Sequence, residues 1–221
     1  MGNNIAIDGP AGAGKSTIAK RVAKTLGYIY VDTGAMYRSM ALYMLKNNIS
    51  SDNIAAIEEA CENVDISIDY VNGEQVVFLM GENVNGQIRT EEVGKMASVT
   101  SAVPKVREKL VSLQQKMGRE KNVVMDGRDI GTVVLPESKC KIYLTASSAV
   151  RAKRRYDELV AKGEKCDINE IEAGIIERDH NDMTREISPL KQAEDAVLVD
   201  SSYMTIDEVV DRILELAKER L

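Results

Sequence analysis

The feature that most constrains this chain is a glycine-rich segment directly after its first apolar stretch. Residues 9–17 read GPAGAGKST and match the pattern G-x-x-x-x-G-K-[ST]. Residues 4–8 before them are apolar enough for a buried strand, and residues 14–26 after them have apolar positions at helical spacing. A strand, this loop and a helix in that order predict a loop that wraps backbone N–H groups around phosphate oxygens.

The loop also predicts its ligand and its metal. In such loops the lysine supplies a mobile charge to the outer phosphates of a nucleoside triphosphate, and the following hydroxyl contacts Mg²⁺. We therefore expect ATP with Mg²⁺, and we expect Ser16 to be the metal ligand. The candidate ATP-binding residues are Gly9, Pro10, Ala11, Gly12, Ala13, Gly14, Lys15, Ser16 and Thr17. The loop alone does not separate kinases from GTPases or motors, but the sequence has no guanine-reading N-K-x-D motif.

Strand and helix patterns alternate along most of the chain, which predicts an α/β fold. Residues 122–126 and 141–145 are continuous apolar runs, as is typical of strands buried in a parallel sheet. Residues 64–88 instead alternate polar and apolar side chains on either side of Asn72-Gly73, a strong hairpin signal. We expect a parallel sheet flanked by helices, with a small antiparallel sheet inserted into it.

Charged side chains recur where a second anionic ligand could bind. Arg178, Asp182 and Arg185 are spaced i, i+4 and i+7, which places them on one helix face. They form either an ion-pair ladder or a phosphate clamp in which the carboxylate orients the guanidinium groups. Arg128 and Asp129 follow a buried strand, at the sheet edge where open α/β sheets bind ligands.

Composition excludes several classes of protein. The net charge of −6 argues against a general nucleic-acid binder, although residues 151–155 are strongly basic and form either a solvated helix face or part of a site. Three separated cysteines and one histidine favour neither a disulfide framework nor a zinc site. No apolar run reaches the ~20 residues of a membrane span, and the N-terminus lacks a secretory pattern, so we expect a cytoplasmic protein that is not bound to membranes.

Several longer segments carry a family resemblance over essentially the whole chain. They are IDGPAGAGKST, VDTGAMYR, GENVNGQIRTEEV, PKVRE, MDGRDIGTVV, ASSAVRAKRR and ERDHNDMTREISPL. With them the sequence resembles the bacterial cytidylate kinases, in the superfamily of P-loop nucleoside monophosphate kinases. The resemblance implies a core of residues 1–35, 119–149 and 167–221, a monophosphate-binding subdomain of residues 36–118, and a helical lid of residues 150–166.

The resemblance also implies roles for individual residues. The group near the acceptor monophosphate and sugar is Thr33, Arg38, Arg128, Arg178, Asp182 and Arg185, and the group that reads cytosine is Ser98, Arg107 and Asp129. Arg151 and Arg155 resemble lid arginines that close over the transferred group. The implied catalytic residues are Lys15, Arg128, Arg151, Arg155 and Arg185.

The implied activity is transfer of the γ-phosphoryl group of ATP to CMP or dCMP. Asp129 would accept from the cytosine amino group, while Arg107 and Ser98 donate to the ring acceptors, a pattern that uracil reverses. We expect a monomer whose partners are these small molecules. The open alternatives are a related kinase for UMP, AMP or a non-nucleotide acceptor and, in a different class, a nucleotide-dependent regulatory protein.

Overall fold

The main sheet has five parallel strands, as predicted from the apolar runs. The computed structural model describes residues 2–71 and 74–221. Its strands are β1 (Ile5–Asp8), β2 (Ile29–Asp32), β3 (Ile66–Val71), β4 (Glu74–Leu79), β5 (Glu82–Asn83), β6 (Val123–Gly127), β7 (Cys140–Thr145) and β8 (Val197–Asp200). The order in the main sheet is β2-β6-β1-β7-β8, so the first strand of the chain is central.

Eight α-helices surround the two sheets in the described ranges. They are α1 (Lys15–Leu26), α2 (Thr33–Lys46), α3 (Ile54–Asn63), α4 (Glu91–Thr100), α5 (Pro104–Glu120), α6 (Ser148–Ala161), α7 (Ile168–Thr184) and α8 (Ile206–Arg220). A short π-helical turn, Ile130–Val134, follows β6 and was not predicted. None of the helices in the described part of the chain combines the length and apolar character that a bilayer crossing requires.

Helices cover both faces of the main sheet. On one face, Ile18 of α1 and Ile213 of α8 pack with Ile7 and Ile142 of the strands. On the other face, Met125 and the π-helical turn pack with side chains of α5. Each such side chain, fully buried, contributes roughly 1.5–3 kcal/mol to folding. The expected parallel core between two layers of helices is confirmed.

The inserted segment forms a three-stranded antiparallel sheet with its own apolar core. Ile66 pairs with Leu79 and Val71 with Glu74, so β3 and β4 run antiparallel on either side of the predicted turn. The turn itself, Asn72-Gly73, lies outside the described residues. A separate cluster packs this sheet against α2, α3, α4 and α5. The division into core, subdomain and lid stays a prediction, and α2 runs continuously through the boundary expected at 35/36.

Strand register places the polar ends of the central strands side by side. Asp8, at the end of β1, aligns with Gly127 of β6 and with Tyr143 of β7. Asp32, at the end of β2, aligns with Asp126. Because these strands are parallel, all their carboxyl ends lie at one edge of the sheet, where the glycine-rich loop begins.

Candidate active site

The glycine-rich loop adopts a backbone shape that only glycine accommodates at its key positions. Gly9 has φ of 149°, and a Cβ there would lie 1.9 Å from the carbonyl oxygen of Leu144. Gly12 and Gly14 have φ of 77° and 90°, in the left-handed region that disfavours side chains. Helix α1 begins at Lys15, so its free N–H groups point at the loop. The geometry is that of an anion-binding cradle.

Lys15 is a buried cation whose direct partner is a backbone carbonyl. It is 6% exposed, and its Nζ donates to the carbonyl of Pro10 at 2.7 Å. Among the described residues no carboxylate lies within 4.0 Å of that Nζ. Burial, and after it the positive charge of Arg128, lowers the pKa of Lys15 well below its usual range. An anionic ligand in the cradle would reverse this effect by supplying the missing negative charge.

Asp126, which the sequence reasoning did not single out, lies beside the hydroxyl of Ser16. Its Oδ2 accepts from Ser16 Oγ at 2.9 Å and its Oδ1 from Tyr30 Oη at 2.8 Å. Burial, together with the charge of Asp32, raises the pKa of Asp126 above its usual range. A carboxylate and a hydroxyl are oxygen donors of the kind that Mg²⁺ prefers when it binds with phosphates and water. These two residues therefore fit the metal predicted at Ser16. The sequence signal that could have identified Asp126 as a site residue is its position at the end of a buried strand.

Asp8 connects the loop to the segment that follows β6. Its two carboxylate oxygens accept from the backbone N–H groups of Ile130 at 2.8 Å and Gly131 at 2.7 Å. These contacts hold the start of the π-helical turn directly after Asp129. Burial raises the pKa of Asp8 to about 6, while the two backbone hydrogen bonds oppose the rise. Asp8 was also absent from the predicted site.

Thr33 begins α2 and Arg38 lies in its second turn, and both side chains make hydrogen bonds within the protein. Thr33 Oγ1 donates to the carbonyl of Asp126 at 2.7 Å, which leaves only its lone pairs for another contact. Arg38 pairs with Asp32 at 3.2 Å, and Arg89 reaches the same carboxylate at 3.0 Å. Arg38 Nε is buried and has no partner in the part of the chain that the structure describes.

The structure brings Arg107 and Asp129 into a buried ion pair. Both residues are 4% exposed, and Arg107 Nη2 donates to Asp129 Oδ2. Arg107 Nη1 also donates to the carbonyl of Ser101 at 3.2 Å, and its guanidinium lies 5.4 Å from the centre of the Tyr37 ring. Ser98, the third residue expected to read cytosine, lines a neighbouring cavity of about 320 Å³.

That cavity is bordered by the charged end of α7. Asp182 lines it and accepts from Arg128 Nε at 2.6 Å. Burial opposes ionisation of Asp182, but Arg128, Arg178 and Arg185 together outweigh this effect and hold the pKa of the carboxyl below its usual range. Arg185 lies one residue beyond the helix end, so the expected shared helix face holds for Arg178 and Asp182 alone. Arg185 nevertheless reaches the site, with Nη1 4.0 Å from Asp182 Oδ1.

The two arginines predicted for the lid have different environments. Arg151 is 5% exposed and donates to the carbonyls of Ala146 at 2.9 Å and Ala11 at 3.0 Å, and to Asp179 at 2.6 Å. Arg155, one turn further along α6, has a side chain that is 51% exposed and pairs with Glu158. Both line a cavity of about 570 Å³ that opens from the glycine-rich loop toward the start of α8.

Taken together, the sheet order and the loop at the end of its central strand define a P-loop protein, and two separate cavities border the site. A shikimate kinase from Bacteroides thetaiotaomicron has a similar fold, with a TM-score of 0.51 and 14% identity over 97% of this chain and 98% of that one. The chain belongs to the cytidylate kinase family, whose sequence model matches residues 5–219.

Individual relatives support the same assignment at high identity. The cytidylate kinase of Caldicellulosiruptor saccharolyticus is 54% identical over 96% of this chain and 94% of its own length. That of Alkaliphilus metalliredigens is 49% identical over 98% and 97% of the two chains. The resemblance found from sequence motifs is therefore confirmed at the level of the family.

Proposed function

We propose that the protein transfers the γ-phosphoryl group of ATP to CMP, giving ADP and CDP, and that it also accepts dCMP. The observation that carries this proposal is the buried pair of Arg107 and Asp129 beside the phosphate-binding loop. It supplies a base-reading group and lies at the same sheet edge as Lys15. The family relationship supports the same reaction.

Base recognition follows from the direction of the hydrogen bonds. Cytosine has an amino donor at N4 and acceptors at N3 and O2, which match a carboxylate and a guanidinium respectively. Uracil would set an N–H against Arg107 and a carbonyl against Asp129. Each buried mispaired group costs about 1–3 kcal/mol, enough for roughly tenfold or greater discrimination per contact.

Transfer requires alignment and charge neutralisation rather than a general base. The attacking oxygen belongs to the acceptor phosphate and is already anionic, so the barrier includes repulsion between two phosphate groups. Lys15 and Arg151 would act on the donor side, with Arg128 and Arg185 on the acceptor side. Mg²⁺, when held by Ser16 and by Asp126 directly or through water, supplies further positive charge to the donor phosphates.

Thr33 has a narrower role in this proposal than the sequence suggested. Its hydroxyl proton is directed at the carbonyl of Asp126, so it does not donate to the acceptor phosphate while that contact lasts. Arg38 is the better candidate for that donation, because Nε is buried without a partner among the described residues. A phosphate oxygen there would satisfy this N–H.

We further propose that the enzyme acts in the cytoplasm as a monomer on small molecules and not on nucleic acid. The net charge of −6 supports the last point, because an acidic surface repels a polyanion. Size-exclusion chromatography with light scattering tests the monomer directly.

The deciding experiment is an ATP-coupled assay against a panel of ribonucleoside and deoxyribonucleoside monophosphates. We expect CMP and dCMP to be used at least about tenfold more efficiently than UMP or AMP. Equal use of UMP would contradict the base-reading role. Absence of ADP formation with every monophosphate would instead favour a regulatory protein. Asp129→Asn should change the order of acceptors while leaving the KM for ATP within about twofold.

A further inference from the structure

Helix α7 carries two acidic residues, three positions apart, that hold arginines from different parts of the site. Asp182 accepts from Arg128 beside the acceptor cavity. Asp179 accepts from Arg151, which in turn donates to the carbonyl of Ala11 within the phosphate-binding loop. Side chains of one helix therefore contact both halves of the site.

Asp179 is the contact that neutralises Arg151. The other two partners of this guanidinium are backbone carbonyls, which carry only partial charges. With Arg151 5% exposed, solvent does not replace a lost counter-ion. Asp179 therefore supplies one of the three contacts that orient the guanidinium, and the one that balances its charge before a nucleotide binds.

The second oxygen of Asp179 gives an independent reason to assign it a functional role. Its Oδ1 is buried and has no hydrogen-bond partner within the described ranges. Buried polar atoms in native proteins are nearly always paired, so an exception calls for an explanation. Two of the other unpartnered atoms, Tyr37 Oη and Arg38 Nε, lie in the acceptor half of the site.

We propose that Asp179 is a positioning residue, which orients Arg151 toward the phosphates of the donor nucleotide. Because Asp179 and Asp182 are on the same rigid helix, α7 also sets the spacing between Arg151 and Arg128. The inference rests on the proposed function, since it assigns the donor phosphates to the loop of residues 9–17. In this proposal Asp179 acts on the reaction through the side chain of Arg151 and does not contact the substrate.

The test compares two substitutions that each break one contact between α6 and α7. Asp179→Asn removes the charge beside Arg151, whereas Glu172→Gln alters the hydrogen bond from Ser148 Oγ, 2.7 Å long, and leaves the three partners of Arg151 unchanged. We expect Asp179→Asn to lower kcat by about tenfold to a hundredfold, because small misplacements of aligning groups cost this much. ATP binding, measured by calorimetry without acceptor, should weaken about fivefold or more. The KM for CMP should stay within about twofold, and Glu172→Gln should change none of these values.

A double variant separates positioning from a merely structural effect. If Asp179 acts through Arg151, then Arg151→Met with Asp179→Asn should equal Arg151→Met alone within about twofold. If the two substitutions instead lowered kcat by factors that multiply in the double variant, the proposal would be overturned. If Asp179→Asn alone does not fold because it leaves a buried cation, the double variant removes that cation and keeps the comparison possible.

The proposed function and this inference fail in different ways. If the wild-type protein forms no CDP, the proposed reaction is wrong, but the ATP titration still reports on Asp179 because it needs no acceptor. If CDP forms and Asp179→Asn matches the wild type in kcat and in ATP affinity, the reaction stands and the positioning role is refuted.

Discussion

The donor and acceptor halves of the site differ in the partners of their buried cations. In the donor half, Lys15 is buried against a backbone carbonyl, and its pKa is lowered by that burial. In the acceptor half, Arg107 and Arg128 each meet a carboxylate, Asp129 and Asp182. Lys15 thus presents a charge that no carboxylate contacts directly to a highly charged ligand. The buried pair of Arg107 and Asp129 is neutral as a unit and offers directional hydrogen bonds, which suits recognition of a base.

This difference predicts that the loss of Lys15 and the loss of a paired arginine change activity and the free energy of unfolding in different proportions. Removing an unbalanced buried cation takes away an unfavourable desolvation, while removing one member of a buried pair leaves its partner uncompensated. Substitution of Lys15 should therefore impair activity more than stability. Substitution of a paired arginine such as Arg107 should impair both.

The largest effect is expected for Lys15→Ala. Loss of the ammonium group should lower kcat by about 10³-fold, because one preorganised donor to developing charge is typically worth that much. The melting temperature should stay the same or rise, since burial of Lys15 is unfavourable. Kinetics and thermal denaturation measure the two quantities, with Lys24→Ala on the exposed side of α1 as control. Near-normal turnover would contradict the mechanism, and a marked loss of stability would contradict the charge comparison.

Arg107→Met should damage both the fold and the use of CMP. It leaves Asp129 buried without its partner, which costs about 3–5 kcal/mol of unfolding free energy. The kcat/KM for CMP should fall about 10²-fold, with the KM for ATP within about twofold. The double substitution Arg107→Met with Asp129→Leu should recover stability but not CMP use. If Arg107→Met were as stable as the wild type, Asp129 would not depend on Arg107 as a buried partner.

Asp8 lies between the two halves, and its protonation should be visible in the stability of the protein. Its pKa is raised to about 6 in the folded state from 3.8, so the folded protein binds the proton more tightly. Its contribution is fully present below about pH 4 and is lost as the pH rises through 6, a change of about 3 kcal/mol. The Asp8→Asn variant should not show this decrease in the free energy of unfolding as the pH rises. Urea denaturation between pH 4 and 6.5 compares the two proteins, and parallel curves would refute the prediction.

The smallest effect is expected for Arg155→Ala. Within the described ranges this exposed arginine pairs only with Glu158 on its own helix, a contact worth about 0–1 kcal/mol. Turnover should fall about tenfold if the guanidinium reaches the transferred group, with the melting temperature within about 1 °C. Glu158→Ala should leave turnover near normal. Unchanged turnover in Arg155→Ala would remove this residue from the catalytic set.

Features that depend on neighbouring residues were predictable from the sequence. The glycine-rich loop is specified by residues 9–17, and the parallel strands by short apolar runs, because local backbone geometry and burial act within a few positions. The pairing of β3 with β4 follows from the two-residue hairpin signal, since Val71 pairs with Glu74. The alternating pattern alone does not give the register, because Ile66 and Ile68 pair with Leu79 and Val77 rather than with the alternating set at 76, 78 and 80. These interactions have short range, so the order of residues reports them directly.

Features that depend on packing between distant segments were not predictable from the residues alone. Arg151 and Asp179 are 28 positions apart, and nothing in their spacing indicates that they meet. The carboxylates of Asp8 and Asp126 gain their raised pKa values from burial that only the assembled sheet produces. Because α7 ends one residue before Arg185, this residue occupies the C-cap position, and its side chain donates to the carbonyl of Ser188 instead of lying on the helix face.

The central place of β1 has a consequence for how the chain folds. Strand β1 pairs with β6 and β7, which begin at Val123 and Cys140. Its partners are thus synthesised more than a hundred residues later, and closing that long loop is slow. The antiparallel sheet and its helices, by contrast, are nearly contiguous in sequence. We expect this inserted unit to fold first during synthesis. Residues 5–8 should stay unpaired until β6 and β7 are made, so the phosphate-binding loop should form late.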